Sequence, residues 1–509
     1  MFAQALARSV RMHRTGTAFI HGSETIGWAE FGQQVASVAG ALRGAGIQPG
    51  DRVAVLAGNS PAHVIAMYAV LWSGAVLVPL NIRLAPHEME RILTESGANV
   101  IFSDAANKAA AQAMTDLLPL IGIAMDEGAV GTLTWDAVTA HAPIEAERTD
   151  ISSLAAIYYT GGTTGAPKGV MLNHGSLAFQ ALNLVRELDL HRESIAQAAP
   201  PLFHLAGAGF AQACTMAGAT QIYLTDFDPV GVLESIRRHK ATHVSLVPTM
   251  MGVVMDIPSA GADMATITRI IYGSSSISDT LLRKVISICP DAGLTQIYGQ
   301  TECTGPCLFL PPEDHALEGK PPMRLASAGR PDSCSEVRLV DAHDNPVPVG
   351  TAGEIVVRGP SVMMGYWQNE AATKDALRGG WLHTGDVGIE DDEGYIRVVD
   401  RIKDMIVTGG ENVFCAEVEN VIATLPGVKF CAVIGVPDEK WGERVHAIVG
   451  VGPETDVTAE AVIAHCKAEI AGYKCPKSVE LTTTPLPLSA VGKVRKDLLR
   501  AEYLKRTTA

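Results

Sequence analysis

From Met1 to about Asp150, short apolar runs alternate with longer segments that carry apolar residues on one side only. Val53-Ala54-Val55-Leu56 and Val76-Leu77-Val78 read as buried strands, and Phe31 to Ala41 and His87 to Glu95 as helices. Such alternation predicts α/β architecture with a largely parallel sheet. The longest apolar run, VIAMYAVLWSGAVLVPL from Val64 to Leu80, approaches the length needed to span a bilayer. Ser73-Gly74 interrupts it and Pro79 sits near its end, so a buried helix running into a buried strand is expected, with no spanning segment. The α/β pattern resumes with a strand at Leu154 to Tyr158, a helix at Gly175 to Leu188 and a strand at His243 to Pro248.

Beyond Pro311 the period changes. Val337–Val340, Glu354–Val357 and Tyr395–Val399 are short β runs separated by turn signals such as Asp344-Asn345-Pro346 and Asp392-Glu393-Gly394. A small β-barrel or distorted sheet is predicted over about 311–399. The remainder has the size of an independent α+β domain. It opens on a glycine-broken hairpin, Ile406 to Val413, followed by a helix bearing Glu417 and Glu419 and a strand at Ala432–Val436. The domains expected are thus 1–400 and a smaller one over 401–509.

Composition narrows the classes. A chain of 509 residues exceeds one hydrophobic core, and 47% apolar with 19% charged residues describes a globular protein. The net charge of -15 argues against general nucleic-acid binding, so an anionic ligand needs a local cluster of cations and amides. Nine cysteines without Cys-x-x-Cys pairs indicate neither a zinc site nor a disulfide scaffold, and reduced, cytoplasmic thiols fit. The N-terminus lacks the apolar core of a signal peptide.

The densest chemistry lies in Thr160-Gly161-Gly162-Thr163-Thr164-Gly165-Ala166-Pro167-Lys168-Gly169, directly after the Leu154 strand. Glycines let backbone approach a ligand closely, while threonine hydroxyls and a lysine donate to phosphate oxygens. The Walker loop needs Gly-Lys-Ser/Thr opening a helix, whereas here Pro167 precedes Lys168 and Gly169 follows it. Gly44-Ala45-Gly46 is not a dinucleotide fingerprint either, since Pro49 replaces the third glycine and the strand follows it.

Further stretches complete a series: Tyr272-Gly273-Ser274-Ser275 after a strand, Tyr298-Gly299-Gln300-Thr301-Glu302, Gly380-Trp381-Leu382-His383-Thr384-Gly385-Asp386, Asp400-Arg401-Ile402-Lys403-Asp404 and Ser489-Ala490-Val491-Gly492-Lys493. In this order the chain resembles the acyl-adenylate-forming superfamily, which includes acyl-CoA synthetases, beetle luciferases and peptide-synthetase adenylation domains. The resemblance covers essentially the whole chain. Ser276 stands where proline is common and Ser489-Ala490-Val491 departs from Thr-x-Thr/Ser.

The resemblance implies a large N-terminal domain of stacked α/β sheets with a small β-barrel, and a small mobile C-terminal domain. It implies ATP, Mg²⁺ and coenzyme A as reactants or cofactors. By position, Thr160, Gly161, Gly162, Thr163, Thr164, Gly165 and Lys168 would hold phosphates, and Gly273, Ser274, Ser275, Tyr298 and Gly299 the base. Thr301 would meet the α-phosphate, Glu302 the metal, and Asp386 and Arg401 the ribose. Lys493 would be the catalytic lysine, with Thr301, Glu302 and Lys168 sharing the catalytic work. Asp400 would be the hinge, His204 and Gly273 would border the acid pocket, and Gly409, Gly410 and Trp441 would meet coenzyme A. Tyr473 and Lys474 resemble further coenzyme A contacts, while Cys475 stands where some relatives have arginine. The expected activity is AMP-forming ligation of a fatty or aromatic acid to coenzyme A, by a cytoplasmic enzyme and possible homodimer. The alternatives are an adenylating enzyme that loads a carrier-protein thiol, a luciferase-like oxidising relative and a non-catalytic adenylate binder. With the sequence ending soon after Lys493, no fused carrier domain is expected, and that expectation favours free coenzyme A.

Overall fold

The computed structural model describes residues 2–160, 167–275, 277–316, 324–452, 455–487 and 494–507. The chain divides into two compact units, Met1–Glu336 with Val357–Leu382, and Val337–Val356 with His383–Ala509.

Among the described residues the first unit contains two large sheets. One runs in the order Gly365–Tyr366, Lys168–Asn173, Leu154–Thr160, Val76–Pro79, Arg52–Leu56, Ala98–Ser103, Ile121–Ala124, Leu133–Thr134. It is parallel except where Leu154–Thr160 pairs antiparallel with Lys168–Asn173, and that strand with Gly365–Tyr366. The other runs Arg330–Pro331, Gly305–Leu310, Gly293–Gln300, Arg269–Gly273, His243–Leu246, Ile195–Ala198, Thr220–Tyr223, Thr17–His21, Glu24–Gly27. Its central strands are parallel and largely buried on both faces, with Gln197, Gln221, His243 and Ser245 among the buried residues, as in a sheet covered by helices on each side.

The long apolar run resolves into the helix Pro61–Trp72 and the strand Val76–Pro79. Ser60 caps the helix by accepting from His63 N at 3.1 Å, and Pro61 supplies a preset φ at the first position. This helix packs against strands of both sheets, so it buries residues all round its circumference. That location explains why the run lacks a polar face. No helix among the described residues is long and apolar enough to cross a membrane.

The second unit holds a four-stranded sheet in the order Glu336–Val340, Ala352–Arg358, Leu382–Glu390, Ile396–Arg401, within the region expected to be β-rich. It also holds a five-stranded sheet built on Gly442–Val451, which pairs with Val428–Asp438 on one side and Ser478–Thr482 on the other. Helices Cys415–Ala423 and Ala459–Glu469 cover one face, around Ile406, Val418, Val433 and Val449, and Lys496–Thr507 packs on Val428–Asp438. All nine cysteines are free thiols.

Candidate active site

Lys168 begins the strand that returns from the Gly/Thr loop, opposite Thr160 in the antiparallel ladder. Across from it, Tyr366 pairs with Val170, and its ring lies under the Lys168 ammonium at 4.9 Å from the centroid. The Tyr366 hydroxyl donates to Glu302 Oε1 at 3.0 Å. A tyrosine thus joins the predicted phosphate-binding lysine to the predicted metal-binding carboxylate. Burial and the neighbouring Glu302 charge push the Tyr366 phenol well above its ordinary range, so it stays a donor.

Gln300 ends the strand Gly293–Gln300, and Thr301, Glu302 and Cys303 form one 3-10 turn before the antiparallel return Gly305–Leu310. Thr304 takes a left-handed backbone and its hydroxyl donates to Ser361 O at 2.5 Å. Tyr298 sits in the same strand opposite Leu308. Gly299 and Gly273 have a packing reason to be glycine: a Cβ would meet Gly305 O at 2.0 Å in the first case and Ile297 O at 2.3 Å in the second. Ser274 follows in the left-handed region, turning the chain out of the strand with Ser275. Glu302 is a single hard carboxylate, and no three His, Cys, Asp or Glu side chains converge as a metal cage among the described residues. That donor set fits magnesium, which is held by one or two carboxylates together with substrate phosphates.

His204 is the N-cap of the helix Leu205–Ala217, with its ring 4.7 Å from that of Phe203. The preceding segment is held from the other sheet by Asn59, whose amide donates to Pro200 O at 3.1 Å and accepts from Leu202 N at 2.8 Å. Asn59, Arg83, Phe203, Leu224, Val232 and Met250 line a cavity of about 100 Å³ beside this segment.

In the second unit, Asp386 is 4% exposed and its carboxylate pairs with Arg401 Nε at 3.0 Å. Glu354 organises the approach to it. One carboxylate oxygen bonds His383 Nδ1 at 2.8 Å, and the other accepts from Gly385 N at 3.0 Å. Thr384 donates to Ile355 O and accepts from Asp386 N, so this turn is held from several sides.

The Asp400 carboxylate accepts from Arg401 N at 2.7 Å and from Cys415 N, at the start of the helix Cys415–Ala423. Burial raises its pKa while the nearby Lys496 charge opposes that shift. Burial disfavours charge on Lys496, yet Glu419, 2.7 Å away, and Asp400 outweigh it and raise its pKa. Gly409 has φ +61, and a Cβ there would meet Trp441 Cε3 at 2.7 Å, so two of the predicted coenzyme A contacts lie against each other. Gly410 is open on the same turn, Trp441 is 46% exposed with the Lys440 ammonium 4.5 Å from its ring, and Lys474 binds both oxygens of Glu417. Tyr473 is exposed, while Cys475 lies in the core of this unit. Gly161, Gly162, Thr163, Thr164, Gly165 and Lys493 lie outside the described residues.

Residues 6–367 match the family described as AMP-binding enzyme, and residues 417–493 match the AMP-binding enzyme C-terminal domain. The chain belongs to the AMP-binding enzyme family. A feruloyl-CoA synthase from an Amycolatopsis species is 39% identical over 502 residues, covering 97% of this chain and 98% of the relative. The fatty acid–[acyl-carrier-protein] ligase ScoC of Streptomyces coeruleorubidus is 32% identical, covering 98% and 96%. Among solved structures, ATP-bound MatB from Rhodopseudomonas palustris superposes with a TM-score of 0.90 at 29% identity, covering 99% of both chains.

Three residues of this AMP-binding enzyme were not singled out by motif: Tyr366, Glu354 and Asn59. Each acts on a motif residue from far along the chain, 64 positions for Tyr366 to Glu302 and 29 for His383 to Glu354. The Gly365-Tyr366-Trp367 stretch, with its two adjacent aromatics after glycine, was the available signal for the first.

Proposed function

We propose that this AMP-binding enzyme is an AMP-forming acid:CoA ligase whose acid is apolar and aromatic in type. The observation that carries the reading is the Lys168–Tyr366–Glu302 cluster, which pairs an anion-binding cation with a metal-ready carboxylate at the foot of the Gly/Thr loop.

A carboxylate is a poor electrophile, because resonance and charge repel nucleophiles. The substrate carboxylate oxygen attacks the α-phosphorus of ATP, the α–β bridging P–O bond breaks, and pyrophosphate leaves with the electron pair. A thiolate of coenzyme A then attacks the acyl carbon, and AMP departs. The enzyme's share is positioning and charge neutralisation. In this reading Lys168 and the Thr160–Gly165 segment hold the β- and γ-phosphates, Thr301 holds the α-phosphate, and Lys493 bridges carboxylate and α-phosphate as a point charge. Tyr298, Gly299 and Gly273–Ser275 receive the base, and Asp386 with Arg401 the ribose. Glu302 holds Mg²⁺, which when bound with ATP neutralises phosphate charge. The part over 401–509 turns about Asp400 to bring Gly409, Gly410 and Trp441 to the thiol substrate.

The segments around the two residues expected to border the acid, Phe203-His204 and Tyr272-Gly273, carry no carboxylate to meet an α-ammonium group, and Asp226 is the carboxylate in the lining of the cavity beside Phe203. The feruloyl-CoA synthase relative supports an aryl acid. The ScoC relative supports a second reading, loading of a carrier-protein thiol. Pyrophosphate release is the test, measured with cinnamate and benzoate types, fatty acids and amino acids, with and without coenzyme A. Coenzyme A-dependent turnover of one apolar class is expected. Turnover that requires a carrier protein instead moves the assignment to the second reading, and turnover of amino acids alone refutes the apolar acid.

A further inference from the structure

The segment Ser361–Trp367 lies between the two candidate half-sites of the first unit and bonds to both. Toward the turn that carries Glu302, Met363 N donates to Glu302 O at 2.9 Å, and Ser361 O accepts from Thr304 Oγ1. Toward the strand that carries Lys168, Met364 N donates to Met171 O at 2.9 Å and Trp367 N to Gly169 O at 2.7 Å. The Trp367 indole donates to Glu95 O at 3.0 Å, fixing the far end. Gly365 makes the crossing possible, since it takes φ +137 and a Cβ would meet Thr373 Cγ2 at 2.6 Å.

Lys168 begins a strand of one large sheet, and Glu302 lies in the turn that joins two strands of the other. A short chain segment hydrogen-bonded at both ends sets their separation more directly than packing between sheets, because each bond has a narrow range of length and angle. Tyr366 stands next to the last residue of this segment and touches both side chains. Its hydroxyl orients one oxygen of Glu302, and its ring face holds the Lys168 ammonium.

We propose that Ser361–Trp367 is a strap that fixes the spacing of the two half-sites, and that Tyr366 is the positioning residue for both Glu302 and Lys168. The inference rests on the reading of Glu302 and Lys168 as the groups that meet metal and phosphate.

The test compares Tyr366→Phe, Thr304→Val and Glu302→Gln in the full-length enzyme. MgATP binding is measured by calorimetry without acid, and the two half-reactions are measured separately. Removing a hydrogen bond to a charged group weakens an interaction by about ten- to a hundredfold. Y366F is therefore expected to bind MgATP at least tenfold more weakly, to need correspondingly more Mg²⁺ for half-maximal adenylation, and to recover at high Mg²⁺. Thioester formation from supplied acyl-adenylate stays near wild type. T304V, which cuts the strap elsewhere, shifts the same quantities less. Equal loss of both half-reactions with no shift in Mg²⁺ requirement overturns the proposal, as does wild-type MgATP affinity in Y366F while E302Q is impaired. If E302Q itself binds MgATP as the wild type does, the metal reading of Glu302 fails and the proposal with it.

Discussion

Asp386→Asn probes the assignment of the ribose site. The side chain keeps its shape but loses its charge, leaving one neutral acceptor and adding two donors. In the present structure the carboxylate is buried and paired with Arg401 at 3.0 Å, while the Arg401 side chain is 40% exposed. A pair with one such exposed partner contributes at most about 1 kcal/mol, so the variant is expected to fold. Hydrogen bonds from ribose hydroxyls to a charged acceptor contribute about 1.5–3 kcal/mol each. Losing the equivalent of one raises the KM for ATP about ten- to a hundredfold. The assay is acid-dependent ATP–pyrophosphate exchange with ATP and with 2′-deoxy-ATP, in wild type and variant. The wild type should discriminate against the deoxy nucleotide by about tenfold or more, whereas D386N should treat the two nearly alike. The same discrimination in both proteins, whatever the absolute rates, refutes contact between Asp386 and the ribose.

Lys493→Ala should abolish acid-dependent pyrophosphate exchange by a factor of about a thousand or more, as expected for loss of a transition-state charge contact, while sparing thioester formation from added acyl-adenylate. Intact exchange removes Lys493 from the mechanism. Asn59→Ala removes both hydrogen bonds that hold Pro200 and Leu202. It should raise the KM for the acid about five- to thirtyfold without changing that for ATP, and an equal rise in both would show a general structural effect. Burial pushes His63, His174 and His243 each from 6.5 down to about 4, so all three are neutral in the fold. The unfolded chain binds those protons first, so their contribution is complete above about pH 6.5 and is lost as pH falls toward 4. At ~1.4 kcal/mol per pH unit that is on the order of 3 kcal/mol per histidine. Denaturant unfolding at pH 7 and pH 5 measures it, and equal stability at the two values refutes the reading.

Secondary structure was legible wherever one period persisted. The helix expected over 31–41 spans Trp28–Gly44, that over 87–95 spans Pro86–Ser96, and the strand at 154–158 runs on to Thr160. The first helix runs past the expected span at both ends and buries Trp28 and Leu42 there. Gly273 is expected from its motif to meet the base, and the structure adds that the neighbouring Ile297 carbonyl leaves no space for a Cβ there. Cys475, aligned with a nucleotide contact, lies in the core of the second unit, where a small thiol packs well.

By itself the sequence determined the element types and the α/β class, and it supplied the motif residues expected to do adenylate chemistry, because periodicity and motifs are local along the chain. Tertiary structure alone decided which partners those residues have. Tyr366 lies in a strand of two residues, too short to show a period, yet it reaches Glu302 across 64 positions. Asn59 grips Leu202 across 143 positions, and Glu354 meets His383 across 29. Such partners are set by strand order and register, through which residues remote in the chain share one edge, and no local pattern encodes that adjacency.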